Sequence, residues 1–311
     1  MSGLAAGATG LAVRVGRERF NMQTASPRRI LVLGATGMLG QTTVRLLAAA
    51  PGLAVTGTVR SDAACGRFPE ELRKTLIRDV DVRDATTLER VFRDIRPEVV
   101  INAVGVIKQR PECDDPRVAM PVNAELPHRL ARLCAATGGR LIHLSTDCVF
   151  GGARGDYVED DEPDAIDLYG RSKLMGEVVD GDAITIRTSL IGHELREGLG
   201  LLEWFLAQRG EVTGFTKAIF SGLPVVELAC VLRDHVIPRP GLRGLFHVAG
   251  PPISKDALLR LLARVYDHPV EIIADDRVVI DRSLNATRFN RLTGYRPPPW
   301  PTLLRRLRDF G

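Results

Sequence analysis

The sequence predicts a doubly wound α/β fold: a parallel sheet with helices on both faces and a smaller α/β lobe interleaved with it. Three observations carry that reading. Ile30 to Leu33 is a short continuous apolar run, as expected for a strand buried on both faces, and it enters a glycine-rich turn followed by Val44, Leu46 and Leu47 at helical spacing. Short apolar runs then alternate with helical segments along most of the chain, the pattern of repeated strand–helix–strand units. No repeat or low-complexity linker separates two halves, so the lobes are expected to interleave rather than follow in series.

The turn holds Gly34, Gly37 and Gly40, with Thr36, Met38 and Leu39 between and beside them. A strand feeding a helix through such a turn aims free backbone N–H groups at whatever lies over the helix N-terminus. An anionic pyrophosphate fits there, and side chains at the glycine positions would obstruct it. Dinucleotide binding is therefore the first functional expectation. The spacing is G-x-x-G-x-x-G rather than G-x-G-x-x-G, so the strand–turn–helix context carries the argument.

Leu53 to Val59 reads as a second strand, ending at Arg60-Ser61. An acidic residue about 20 positions beyond the glycines would take ribose hydroxyls, whereas an Arg accommodates a 2′-phosphate. Arg60, with Ser61 beside it, points to NADP(H). Leu76 to Val82 is a third strand whose Asp81 would accept from the adenine amino group while Val82 packs on the ring. A helix over Ala85–Ile95 stops before Pro97. Val99 to Gly105 is a fourth strand, and the small residues at its end (Asn102, Ala103, Val104, Gly105) let a cofactor approach the backbone.

Val118 to Thr137 reads as one helix, with Asn123 either on a solvated face or bracing the strand ends. Arg140 to Asp147 is a fifth strand finishing in Ser145, Thr146 and Asp147. Ligands in open α/β sheets sit outside the carboxyl ends of the strands, which gives those residues weight. Lys108, in the segment after the fourth strand, and Asp147 are expected to face substrate. Asp156 to Asp167 is an acidic, proline-containing stretch read as an exposed loop without a metal.

Tyr169-x-x-x-Lys173 follows. On a helix these residues share one face. A cation beside a phenol lowers its pKa from about 10, which makes it a usable proton donor near neutral pH. Thr146 stands 23 residues upstream at a strand end, so three groups could converge on one carbonyl oxygen.

Together, Gly34/Gly37/Gly40, Asn102 to Gly105, Ser145 to Phe150 and Tyr169-x-x-x-Lys173 resemble the extended short-chain dehydrogenase/reductases. Within them the chain most resembles the dTDP-4-dehydrorhamnose reductase group of nucleotide-sugar reductases, from about Arg29 to the C-terminus. The resemblance implies a Rossmann domain over 28–190 and a mostly substrate-binding lobe over 191–311. It implies that Tyr169 donates the proton, that Lys173 holds the nicotinamide ribose, and that Thr146 bonds the carbonyl oxygen. Thr188 and Ser189 would lie near the nicotinamide, or simply cap a strand. The chain departs from the group at Cys148, where Tyr is common, and over Val106–Cys113, where the group is acidic.

Beyond Lys173, Ala183 to Ile191 reads as a sixth strand and Leu199 to Gln208 as a helix with Trp204 and Phe205 in the core. Gly214 to Gly222 reads as a loop whose Lys217 meets a substrate pyrophosphate or solvent. Val225 to His235 is helical, and Gly244 to Gly250 returns to the main sheet, its His247 a core residue. Ser254 caps a helix to about Tyr266. Val270 to Ile273 is a strand outside the main sheet, and Leu303, Leu304 and Leu307 mark a final helix.

A net charge of +4, 45% hydrophobic and 26% charged residues describe an ordinary globular chain and give no reason to expect nucleic acid or membrane partners. No apolar run approaches the roughly 18 residues that span a bilayer. Five cysteines without a C-x-x-C pair suit reduced thiols in the cytoplasm. No metal-ligand spacing is present. Residues 1–27, with a second Gly7-Ala-Thr-Gly10 turn and Met22 as an alternative start, are expected to stand outside the fold. The expected activity is NADPH-dependent reduction of a nucleotide-linked 4-keto-6-deoxy sugar, with a homodimer allowed. The competing expectations are an epimerase or dehydratase with bound NAD, and a non-catalytic NADP(H)-binding regulatory subunit. Arg60 and the lack of an acidic pair after Thr146 weigh against the first; the intact Thr146/Tyr169/Lys173 set weighs against the second.

Overall fold

The computed structural model describes residues 26–195 and 200–311. The expectations for the N-terminal extension, its Gly7–Gly10 turn and Met22 lie outside them.

Strands β1 (Arg28–Leu33), β2 (Leu53–Thr58), β3 (Leu76–Ile77), β4 (Val99–Asn102), β5 (Arg140–Thr146) and β6 (Ile184–Thr188) belong to one sheet. Four strands outside it follow in the chain: β7 (Leu190–Ile191), β8 (Gly210–Phe215), β9 (Ala218–Phe220) and β10 (Leu223–Pro224). β11 (Gly244–His247) returns to the main sheet, and β12 (Ile253–Ser254), β13 (Val270–Asp275) and β14 (Ile280–Asp281) complete the set. The seven-stranded sheet has the order β11-β6-β5-β4-β1-β2-β3, with every neighbour parallel. Strand order reverses between β1 and β4. That switch point opens a crevice at the strands' carboxyl ends, where such sheets hold ligands.

The period-2 alternation of strand side chains feeds two cores. Ile30, Val32, Ile101, Ile142, Ile184 and Ile186 face the helix Met38–Ala48 and the C-terminal elements. Leu31, Leu33, Val100 and Leu141 face the helices that carry Leu88, Phe92, Leu126 and Leu130. Asp84 caps the helix Ala85–Ile95 by accepting from Thr86 N at 3.0 Å, and Arg96 ends it in the left-handed region at φ 47°.

Several expectations change. The helix expected over 118–137 is interrupted by a wide π turn at Met120–Glu125. Pro121 and Pro127 have no N–H for the i→i−4 ladder, so the Asn123 carbonyl loses its usual helical donor. Gly176 packs on that carbonyl so closely that a Cβ there would sit 1.9 Å from it. Asn123 itself is buried rather than solvated. The third strand is cut to two residues, because Asp79 turns the chain at φ 57°. The sixth splits, and β7 leaves the main sheet to pair with β10.

The acidic stretch 156–167 is not wholly exposed. Tyr157 stacks on Phe150 with centroids 4.1 Å apart, and buried Glu159 accepts from His247 N at 2.9 Å. Phe205 is core as expected, but Trp204 on the same helix is 42% exposed. The loop expected over 214–222 is the end of β8 followed by β9, joined at Thr216-Lys217. Outside the main sheet, β8 pairs with β13 and β9 lies between β12 and β14. The last helix, Trp300–Phe310, buries Leu303, Leu304 and Leu307 in the larger core.

Candidate active site

The first wall of the site is the glycine turn at the sheet's switch point. Gly34 adopts φ +79°, and a Cβ there would meet Val104 Cγ2 at 2.9 Å. Gly37 precedes the helix Met38–Ala48, whose first-turn N–H groups have no acceptor within the helix. Gly40 has a different task. Its added Cβ would lie 2.0 Å from the Gly34 carbonyl oxygen, so it lets helix and strand touch.

A cavity of about 270 Å³ runs from this turn along the β2 end, bordered by Thr36, Gly37, Arg60, Asp81 and Val82. Arg83 grips the Asp81 carboxylate with Nε at 3.0 Å from Oδ1 and Nη2 at 2.6 Å from Oδ2. Those bonds hold its carboxyl below the usual carboxylate range. Ser61, one residue after Arg60, sits at the start of the short helix Asp62–Cys65 and outside that wall.

A second cavity of about 400 Å³ shares Thr36, Gly37 and Ala103 to Val106 with the first and continues toward β5. Thr146, Asp147, Tyr169 and Lys173 all line it, as do Met38, Leu39, Asn102, Lys108, Thr188 and Ser189. The sequence brings them there by two constraints. Asp167 caps the helix Leu168–Met175 by accepting from Gly170 N at 2.7 Å. Gly170 then presses against the Cys148 carbonyl, where a Cβ would come within 2.2 Å. The helix therefore lies on the end of β5, with the Tyr169–Lys173 face toward the cavity.

Lys173 is almost fully buried and donates to the Leu144 carbonyl at 2.6 Å. Burial pulls its ammonium down to about 8, and the charge of Glu177 works against that fall. Glu177 is itself gripped by Arg187, with Nε–Oε1 2.8 Å and Nη2–Oε2 2.7 Å, and accepts from Ser145 Oγ at 2.6 Å. The Thr146 hydroxyl donates to Asp147 Oδ1 at 3.2 Å and accepts from Cys148 N at 3.1 Å. Burial raises both the Asp147 carboxyl and the Tyr169 phenol, and a hydrogen bond with Thr146 draws each of them back. Thr146 and Tyr169 both line the second cavity. Lys173 is not among the groups that chiefly move the phenol, in contrast to the simple picture of a cation beside it.

Lys108 lines the same cavity and pairs with Asp167 Oδ2 at 2.5 Å. Lys217 stands elsewhere: it is exposed, outside both cavities, and paired with Asp276 at 2.9 Å. Asn123 braces the site from behind. Its side chain accepts from Val106 N at 2.9 Å and donates to Val106 O and Ser172 Oγ, each at 3.1 Å. Several lining residues escape sequence reasoning, among them Arg110, Phe220 and Lys255. Arg110 borders both cavities, while Phe220 and Lys255 reach the second from the C-terminal part of the chain. Nothing local marks Phe220 and Lys255, since only the packing of distant segments brings them in, whereas Arg110 lies in the Val106–Cys113 segment that departs from the family pattern. Among the described residues no group of three or more His, Cys, Asp or Glu could hold a metal, and no helix is long and apolar enough to cross a membrane.

Residues 28–217 match the family described as the RmlD substrate binding domain. The chain belongs to that family. A relative from Haloferax volcanii, a probable low-salt glycan biosynthesis reductase, is 31% identical over 266 residues, 82% of this chain and 83% of its own length. The beta subunit of methionine adenosyltransferase 2 from Pongo abelii is 32% identical over 245 residues, 72% of this chain and 67% of that one. Among solved structures, dTDP-4-dehydrorhamnose reductase from Bacillus anthracis in complex with NADP superposes with a TM-score of 0.74. It is 22% identical, over 91% of this chain and 99% of that one, a likeness of fold. Membership in the RmlD family agrees with the fold class and the reductase-like motifs read from the sequence.

Proposed function

We propose that this RmlD-family chain is an NADPH-dependent reductase of a nucleotide-linked keto-sugar, dTDP-4-dehydrorhamnose or a similar 4-keto-6-deoxy sugar. The observation that carries the reading is the meeting of Thr146, Tyr169 and Lys173 in one cavity continuous with the glycine turn. The chain fits the cofactor: Gly34 and Gly37 leave the turn without side chains, and Arg60 lines the same cavity, where it would meet a 2′-phosphate. Residues 28–190 would hold the dinucleotide and 191–311 most of the sugar nucleotide.

When bound, NADPH supplies a hydride to the sugar carbonyl carbon. Tyr169 gives its phenolic proton to the alkoxide oxygen as the C=O becomes CH–OH. Thr146 turns its hydroxyl from Asp147 to that oxygen and stabilises the charge developing there. Lys173, a positive charge fixed by Leu144, orients the nicotinamide ribose and counters the phenolate left behind. Burial raises the phenol, so it holds its proton until the alkoxide forms.

A second reading has its own support. Similarity to a protein named as a subunit of methionine adenosyltransferase 2 lends support to the alternative of a non-catalytic NADP(H)-binding regulatory subunit. One assay separates the two: NADPH oxidation followed by absorbance, against a panel of dTDP- and UDP-linked 4-keto-6-deoxy sugars, with Tyr169→Phe as control. Turnover that needs one sugar and Tyr169 supports the reductase. A flat trace with NADPH bound, and a partner protein retained on purification, supports the regulatory subunit.

A further inference from the structure

Part of the lining of the cavity that holds Thr146 and Tyr169 comes from the far end of the chain. β12 pairs antiparallel with β9, setting Ile253 opposite Phe220 and Ser254 opposite Ile219. Ser254 Oγ then accepts from Ala257 N at 3.1 Å and starts the helix Lys255–Val265. Lys255 is the first residue of that helix, and the register delivers it beside Phe220. Its ammonium stands 5.2 Å from the ring centroid, inside the cavity that holds Thr146, Asp147, Cys148 and Tyr169.

The position is unfavourable for a lysine unless something else is bound there. The side chain is half-buried, and burial lowers its pKa. A cation in the first turn of a helix opposes the positive end of the helix dipole. Among the described residues no carboxylate or carbonyl accepts a hydrogen bond from the ammonium, in contrast to Lys108, Lys173 and Lys217, which all have oxygen partners. Asp147 is the negative group that its charge reaches, and that carboxylate already accepts from Thr146. The aromatic ring offers a face to the cation but neutralises nothing. An ammonium so placed has three donors available to an incoming ligand.

We infer that Lys255 is the anion-recognition residue of the substrate cleft, taking a substrate oxyanion in the cavity that holds Thr146 and Tyr169. The oxyanion is either a phosphate of the nucleoside diphosphate, which a 4-keto-6-deoxy sugar nucleotide carries, or a carboxylate on the sugar, which would replace that 6-deoxy sugar as the substrate. The inference rests on the reading of this cavity as a sugar-nucleotide cleft. It adds that selectivity for a charged substrate is set by the C-terminal part of the chain, while the reacting groups come from the N-terminal part.

The test is equilibrium binding to the NADPH-loaded protein, wild type against Lys255→Met and Lys255→Arg, with NADPH titration as the check of fold. The probes are dTDP, thymidine, UDP-glucose and UDP-glucuronate. If the phosphate is read, Lys255→Met weakens dTDP about 10- to 100-fold, leaves thymidine unchanged, and Lys255→Arg restores most of the loss. If the sugar carboxylate is read, UDP-glucuronate weakens by that factor while dTDP and UDP-glucose do not. Equal affinities in wild type and Lys255→Met for all four probes overturn the inference, as does a wild type that binds none of the charged ones. Probe binding that depends on Lys255 without any keto-sugar turnover keeps the inference and removes the reductase reading. Turnover indifferent to Lys255→Met does the reverse.

Discussion

The Lys173 ammonium donates to the Leu144 carbonyl at 2.6 Å, two residues before Thr146 on the same strand. One bond therefore sets the spacing between the helix that carries Tyr169 and the strand end that carries Thr146. It also keeps a charge buried at an energetic cost. The folded-state pKa of about 8 lies below the ordinary lysine value of 10.5. Between those values the unfolded chain holds the proton and the folded chain has released it, so stability rises with pH across the window. Below pH 8 the full cost is present, roughly 3 kcal/mol. Lys173→Met is expected to be at least as stable as the parent at pH 7, while losing activity. Urea unfolding at pH 7 and pH 9.5 checks this: the parent should gain stability at the higher pH relative to the variant. A parent and variant with the same pH dependence would contradict the buried-charge account.

Gly37 and Gly40 separate binding from folding. A Cβ at Gly40 would sit 2.0 Å from a backbone oxygen that no rotamer change can move, whereas at Gly37 the nearest atom is 3.5 Å away. Gly40→Ala is expected to lose about 3 kcal/mol or more, or to fail to accumulate as soluble protein. Gly37→Ala should fold with little loss and bind NADPH more weakly, because its methyl enters the turn. Denaturant unfolding and NADPH fluorescence titration read the two effects separately, and equal behaviour of the variants would sink the distinction.

Arg60 lines the cavity at the end of β2, and its guanidinium has no ion-pair partner among the described residues. Loss of a charge-assisted contact is worth about 1.5–3 kcal/mol, so Arg60→Ala should weaken NADPH roughly 10- to 100-fold. NADH, which has no 2′-phosphate, should change little. The ratio of the two dissociation constants is the readout; a parallel loss for both cofactors would place Arg60 outside 2′-phosphate recognition.

His247 gives the fold an acid limit. Its Nδ1 donates to the Tyr157 carbonyl at 3.0 Å, Arg187 Nη1 stands 3.4 Å from Nε2, and burial with the Arg187 charge lowers its pKa to about 3. From pH 6.5 down to pH 3 the unfolded chain takes up a proton that the folded chain refuses. Stability falls through that window, by roughly 4–5 kcal/mol in all. His143, fully buried with its pKa also lowered, adds loss in the same direction. His247→Asn keeps a donor for Tyr157 and removes the titration, so its unfolding free energy should decline less between pH 6.5 and pH 4. Matching declines in parent and variant would rule His247 out as the cause.

Much of this site was legible because its parts are local. The Gly34–Gly40 turn, the Ser145–Asp147 strand end and the Tyr169-x-x-x-Lys173 turn each follow from a few consecutive residues, and each lies on the element expected for it. Where the reading failed, a tertiary partner overrode a local cue. Asn123 was open between a solvated helix face and a brace for the strand ends; two prolines open that helix, and Val106 and Ser172 take its side chain, so the brace is what forms. Lys217 looked like a cation in a glycine-bounded loop, but β9 pairs with β12 and β14 and holds it against Asp276. Trp204 sits on the solvent side of a helix whose Phe205 is buried, a choice that hydrophobicity alone does not make.

The sequence by itself determined the parallel sheet and the groups at the carboxyl ends of its strands, because apolar runs, glycines and helix spacing act over a few residues. Only the tertiary structure decided what else lines their cavity. Phe220 and Lys255 arrive at the cleft through a strand pairing between segments more than thirty residues apart. Such pairings depend on the closure of long loops and on complementary surfaces. No short stretch of sequence encodes either.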